Sequence, residues 1–197
     1  MELDLQWDEP QYRDMAILDF DMESLAAGFA DPAWVPQKIT CISWSWVGYD
    51  AVNSVISTQM GFFIPSIRAN ALAQFMPIFN QADMVTGHNL LRHDLPLLRA
   101  ECLYLGIEPP KAKLVQDTIR IGKSKGLKKG LDNLGGMLMT QEEKQAMDWA
   151  AWEKAYEDPT WQAVIDRCES DVRLHKEVRA EMLRRGGWLK KPVTWSP

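Results

Sequence analysis

The segment DMAILDFDM, residues 14–22, constrains the fold more than any other stretch. Ala16, Leu18, Phe20 and Met22 fall on one side of an extended backbone, while Ile17, Asp19 and Asp21 fall on the other and Glu23 prolongs the acidic side. A strand with this pattern needs an apolar layer against one face and something able to accept carboxylates against the other. Read without its neighbours, FDMES can also be a strand end running into a solvated loop.

The later segments supply those layers. After a loop with Gly28, Pro32 and Pro36, the runs ITCISWSWVGYD and VNSVISTQMGFFIP are β-branched and aromatic, with a polar turn at Asp50, and predict a hairpin. Leu72, Phe75, Met76 and Phe79 recur at helical spacing over 69–80, although Pro77 interrupts or bends that helix. A short strand over 83–86 leads through Gly87 to a helix that Asp94 can cap, with Pro96 in its first turn and Gly106 at its end. KLVQDT predicts a fifth strand and GLDNLGGMLM a short helix. Everything beyond Thr140 reads as helical, with the longest helix running from Thr160 to Arg185 and closing at Gly186 and Gly187. This order predicts an α/β domain with a central mixed five-stranded sheet flanked by helices. Residues 1–197 form one domain in this reading, with its core over about 14–185 and an irregular tail over 186–197.

Composition narrows the class. Apolar residues at 46% and charged residues at 25% exclude a disordered or low-complexity chain, and no run approaches the roughly 20 apolar residues of a spanning helix. The chain is therefore expected to have no membrane association. Cys41, Cys102 and Cys168 are far apart, which suggests neither a disulfide framework nor a thiolate metal site and points to a reducing, cytoplasmic setting. The net charge of −5 argues against bulk coating of nucleic acid, yet residues 111–129 carry a local excess of six positive charges. A basic arm is thus set against an acidic body. A solvated lysine-rich loop gives the same count.

The acids carry the chemistry. Asp21 and Glu23 leave one strand face about 7 Å apart, close enough to share a cation. Asp94 precedes a Leu-Pro helix start and reads as a cap on its own. Asp171 shares a helix stripe with Val164, Cys168, His175, Val178 and Met182, so it faces inward and must be paired, hydrogen-bonded or metal-bound; a salt bridge to Arg167 one turn earlier is one way to satisfy it.

Three segments together are more specific than any one. FDMES, GHNLLRHDLPLL and RCESDVRLHKEV resemble the three exonuclease motifs of the DEDD, or DnaQ-like, 3'-5' exonucleases, including the proofreading domains of family B DNA polymerases. The resemblance spans residues 16–180, and KKGLDNLGGML is similar to the family's basic loop and short helix. It implies an RNase H-like fold in which Asp21, Glu23, Asp94 and Asp171 hold two divalent ions, Mg2+ or Mn2+, at the end of a nucleic-acid strand. Carboxylates suit such hard, oxygen-seeking ions. His88 and Asn89 would line the cleft that holds the free 3' end, although a histidine and asparagine after Gly87 also make an ordinary turn. Lys123, Lys125 and Lys128 would hold backbone phosphates further along.

The sequence departs from the family at one position. The family places a histidine or tyrosine general base five or four residues before the last aspartate, where this chain has Asp166 and Arg167. Arginine cannot accept a proton, so Arg167 is a candidate phosphate grip or salt-bridge partner. His175, one turn beyond Asp171, is a candidate substitute base, against the alternative of simple packing. Asp19 offers a second frame with Asp21, and Asp117 reads as a cap or supporting group. The expected activity is hydrolysis of terminal phosphodiester bonds, with DNA favoured over RNA, in replication or repair, by a stand-alone enzyme with a DNA polymerase as partner in trans. A catalytically impaired nucleic-acid-binding scaffold and an RNA-trimming exoribonuclease are the competing expectations.

Overall fold

The computed structural model describes residues 14–25, 33, 35–56, 64–121, 126–186 and 188–197. Lys123, Lys125, Gly28, Pro32, Gly187 and the end of the second hairpin run lie outside these.

Strand β1 (Ile17–Leu25) pairs antiparallel with β2 (Lys38–Trp46) and parallel with β4 (Met84–Gly87). β2 pairs antiparallel with β3 (Asn53–Ile56), and β4 pairs parallel with β5 (Lys113–Asp117). The expected mixed α/β sheet flanked by helices is present, but it has six strands in the order β3-β2-β1-β4-β5-β6. The sixth, β6 (Val193–Trp195), lies in the tail expected to be irregular and pairs antiparallel with β5. Two prolines and no period hid it, because a three-residue edge strand is set by the partner it docks on more than by its own pattern.

Alternation in β1 decides the layers. Leu18, Phe20 and Met22 enter a core with Leu72, Phe75 and Phe79 of α1 (Pro65–Gln81) and Leu95, Leu98 and Cys102 of α2 (Asp94–Leu105). Phe20 meets Phe75 and Phe79 with ring centroids 5.6 and 5.9 Å apart. α1 runs on through Pro77. Its C-terminal end is held by Lys113, whose buried ammonium donates to Asn80 O at 2.9 Å and to Ala82 O, so one lysine of the basic arm serves the fold.

Asp19, Asp21 and Glu23 point to the opposite face, which α5 (Gln162–Arg185) covers. α3 (Leu131–Leu138) packs beside it through Leu131, Leu134, Leu138, Leu174, Val178 and Met182. α4 (Trp149–Glu157) joins through Ala155 to Trp161, Val164, Cys168 and Cys41. The expected helix beyond Thr140 is broken: residues 141–148 form no helix, and Asp148 caps α4 by accepting from Ala151 N at 2.8 Å. No helix among the described residues is long and apolar enough to cross a membrane.

Candidate active site

The two-residue spacing on β1 delivers Asp21 and Glu23 to the α5 face, where Asp171 projects back from the middle of that helix. Ligand atoms of Asp21, Glu23 and Asp171 lie within 4.8 Å of one another. Asp94 is the first residue of α2, and its charge acts directly on Asp21 of the strand. It is no cap: the capping position belongs to His93, no side-chain cap bond forms, and Asp94 is only 2% exposed.

Four carboxylates in one poorly hydrated place repel. Withdrawal from water, followed by the charges of Asp94 and Glu23, holds the Asp21 carboxyl well above its usual range. Burial raises Glu23 to about 7 against the pull of Arg167. Burial also raises Asp94, opposed by His93, and Asp171, opposed by Lys144 and Arg167. Asp94 Oδ1 and Asp171 Oδ1 are buried with no hydrogen-bond partner among the described residues. Orphaned acceptors of this kind are costly, and an all-oxygen donor set fits a hard divalent cation. The Cys168 thiol, donating to Asp21 O at 3.4 Å, is pushed up by burial and stays protonated, which makes it a neutral neighbour of the acids.

Two cations already enter the cluster. Arg167 places Nε 3.3 Å from Glu23 Oε1 and Nη2 3.1 Å from Asp171 Oδ2, so the anticipated Arg167–Asp171 bridge forms and extends to the first strand. Arg167 also donates to Gln145 O, tying the 141–148 loop to α5. From that loop Lys144 sets Nζ 3.3 Å from Asp171 Oδ2. Sequence reasoning missed Lys144, because an isolated lysine in a patternless loop carries no signal.

His175 is a correction. Its Nδ1 lies 2.7 Å from Asp19 Oδ2 and its Nε2 3.1 Å from Thr118 Oγ1, and the residue is 2% exposed. Both ring nitrogens are engaged, so the role of substitute base is taken from it and a buried Asp19–His175–Thr118 brace is what the ring forms. The alternate Asp19 frame is spent on the same brace.

The brace reaches the cleft loop. His88 Nδ1 is 3.0 Å from Thr118 Oγ1, and burial lowers the His88 pKa to about 4, so the ring is neutral. Asn89 adopts a left-handed φ of 68°. Asp117 is the supporting group anticipated, accepting from Asn89 N at 2.7 Å, Leu91 N at 3.1 Å and Ile119 N at 3.1 Å. Gly87 cannot carry a side chain, because a Cβ there would meet Phe20 O at 2.7 Å. Beyond this loop a cavity of about 410 Å³ is lined by Leu91, Arg92, Asp117, Ile119, Arg120, Ile121, Lys129 and Lys190. Lys128 is exposed beside it in sequence.

The fold and site define an α/β domain with a buried carboxylate centre under a long helix. No family model matches the chain, and no curated protein matches it. Among solved structures it is similar to the family B DNA polymerase from the hyperthermophilic archaeon Pyrobaculum calidifontis, with a TM-score of 0.62 and 15% identity over 86% of this chain. The chain spans 24% of that polymerase's length. A likeness at this identity shows a shared fold.

Proposed function

We propose that the chain is a metal-dependent 3'-5' exonuclease acting on nucleic acid with a free 3' end, single-stranded DNA before RNA, in replication or repair. One observation carries the reading: carboxylates of β1 and α5 converge with Asp94 of α2 acting on Asp21, and two of their buried oxygens have no partner among the described residues. Asp21, Glu23, Asp94 and Asp171 would hold Mg2+ or Mn2+. A divalent ion bound there would lower the pKa of a water and offset negative charge on the scissile phosphate.

The chain's own residues orient the reaction. Asp117 fixes the backbone of Asn89 and Leu91, and the Thr118 hydroxyl fixes His88, so the cleft loop meets the strand end with little freedom to reorganise. Arg92, Arg120, Lys129 and Lys190 outnumber the single acid lining the 410 Å³ cavity, and that acid is committed to backbone N–H groups. Backbone phosphates suit such a lining, and Lys128, Lys123 and Lys125 stay candidates for phosphate contact from the sequence alone. The likeness to a polymerase chain is the reason to seek a DNA polymerase as partner in trans.

The test is incubation of 3'-labelled single-stranded DNA and RNA with Mg2+ or Mn2+, beside an Asp21→Ala variant. Shortening from the labelled end that needs the metal and is lost in the variant is the expected result; equal shortening by the variant would remove the site. A second reading, a nucleic-acid-binding scaffold, draws on Arg167 standing among the acids in place of a base. Binding without shortening would select it.

A further inference from the structure

We infer that Arg167 and Lys144 take the place of one of two divalent ions, so that this centre binds a single Mg2+ or Mn2+ per chain. The inference rests on reading the carboxylates as a divalent-cation site and goes further by fixing how many ions they take.

Charge is the first argument. Asp21, Glu23, Asp94 and Asp171 together carry four negative charges when ionised, which two divalent ions would balance. Arg167 touches Glu23 and Asp171, and Lys144 touches Asp171. Those two tethered cations leave a deficit that one divalent ion balances. His93 Nδ1 stands 3.8 Å from Asp94 Oδ2, beyond hydrogen-bond length and half in solvent, and is a screened outer neighbour.

Geometry is the second. Opposite ligands of one octahedral Mg2+ lie about 4.2 Å apart, from metal–oxygen distances of about 2.1 Å. One oxygen from each of Asp21, Glu23 and Asp171 lies within 4.8 Å of the others, close to the span of one such shell. Asp94 stands outside that triad, with its orphaned Oδ1 free to complete the shell directly or through water. The guanidinium is fixed rather than loosely placed: Arg167 is 11% exposed and is held by Glu23, Asp171 and Gln145 O. A second ion at Glu23 and Asp171 would have to displace it and leave a largely enclosed arginine without its acids.

The experiment counts bound ions. Mn2+ is titrated into the metal-stripped full chain and free Mn2+ is read by electron paramagnetic resonance, for wild type and for Arg167→Tyr combined with Lys144→Gln, with folding checked by circular dichroism. One Mn2+ per wild-type chain and two per double variant is the expected result. Two or none in wild type overturns the inference, and so does a double variant that still binds one. Should the double variant fail to fold, the single variants decide: a second Mn2+ in either one supports the substitution, and none in both overturns it. One ion without shortening of any 3' end would leave the ion count standing and remove the exonuclease reading; two ions with metal-dependent shortening would do the reverse.

Discussion

Buried charge occurs on both faces of the sheet, handled in opposite ways. On the α1–α2 side Arg68 and Glu101, 2% and 0% exposed, form a bidentate pair at 2.7 and 2.5 Å, with the guanidinium 5.4 Å from the Tyr104 ring centre. Charges cancel there and both carboxylate oxygens are bonded. On the α5 side four acids meet two cations, and two oxygens are left without partners among the described residues. A matched pair holds helices together, whereas an imbalance held in place by the rest of the fold is poised for a ligand.

The comparison breaks most visibly in activity. Asp94→Asn should lower metal-dependent 3' shortening on the order of 10³-fold, measured as initial rates on labelled DNA, because several kcal/mol of charge stabilisation is lost. The same change should raise the melting temperature of the metal-free chain, since it removes one repelling carboxylate. A fall in melting temperature would contradict the repulsion.

On the matched side the sign reverses. Arg68→Ala strands Glu101 in the core and should cost about 3–5 kcal/mol in urea unfolding, while Arg68→Met with Glu101→Leu should recover most of that loss. A double variant as unstable as the single would mean that the pair supplies more than charge cancellation.

Acidity sharpens the contrast. Glu23 is raised in the folded chain from 4.5 to about 7, so between these values the folded state binds more protons than the unfolded one. The contribution of Glu23 to the stability of the metal-free protein is therefore fully present below about 4.5 and is lost as pH rises towards 7. The loss is on the order of a few kcal/mol, and Asp21 and Asp94, raised likewise, add to it. Melting curves in chelator across this range test it, and saturating Mn2+ should flatten them. The smallest effect is on strand binding: Lys128→Ala should weaken DNA affinity and reduce the slope of log affinity against log salt by about 0.7 if it meets one phosphate of a single strand.

Legibility in the sequence followed how local each signal was. The α/β class and the inward face of Asp171 were readable because alternation and helical period act over a few residues. Asp94 taken alone suggests only a cap, because its burial comes from β1, far away in the chain; it stands out as a site residue only when the three motif segments are read together. Arg167–Glu23, separated by 144 positions, and His175–Asp19, separated by 156, left no trace that local spacing could register. The Arg68–Glu101 pair and Lys144 were invisible for the same reason, and β6 exists only because β5 offers it an edge.

The central place of β1 has a consequence for synthesis. β1 is made well before the helix that covers its acidic side, which follows about 140 positions later. Until then Asp19, Asp21 and Glu23 remain hydrated and do not repel appreciably, so the crowding is imposed only when that helix docks. A divalent ion available at that moment would favour closure of the helix over the strand, which makes cation supply a determinant of how fast the newborn chain matures.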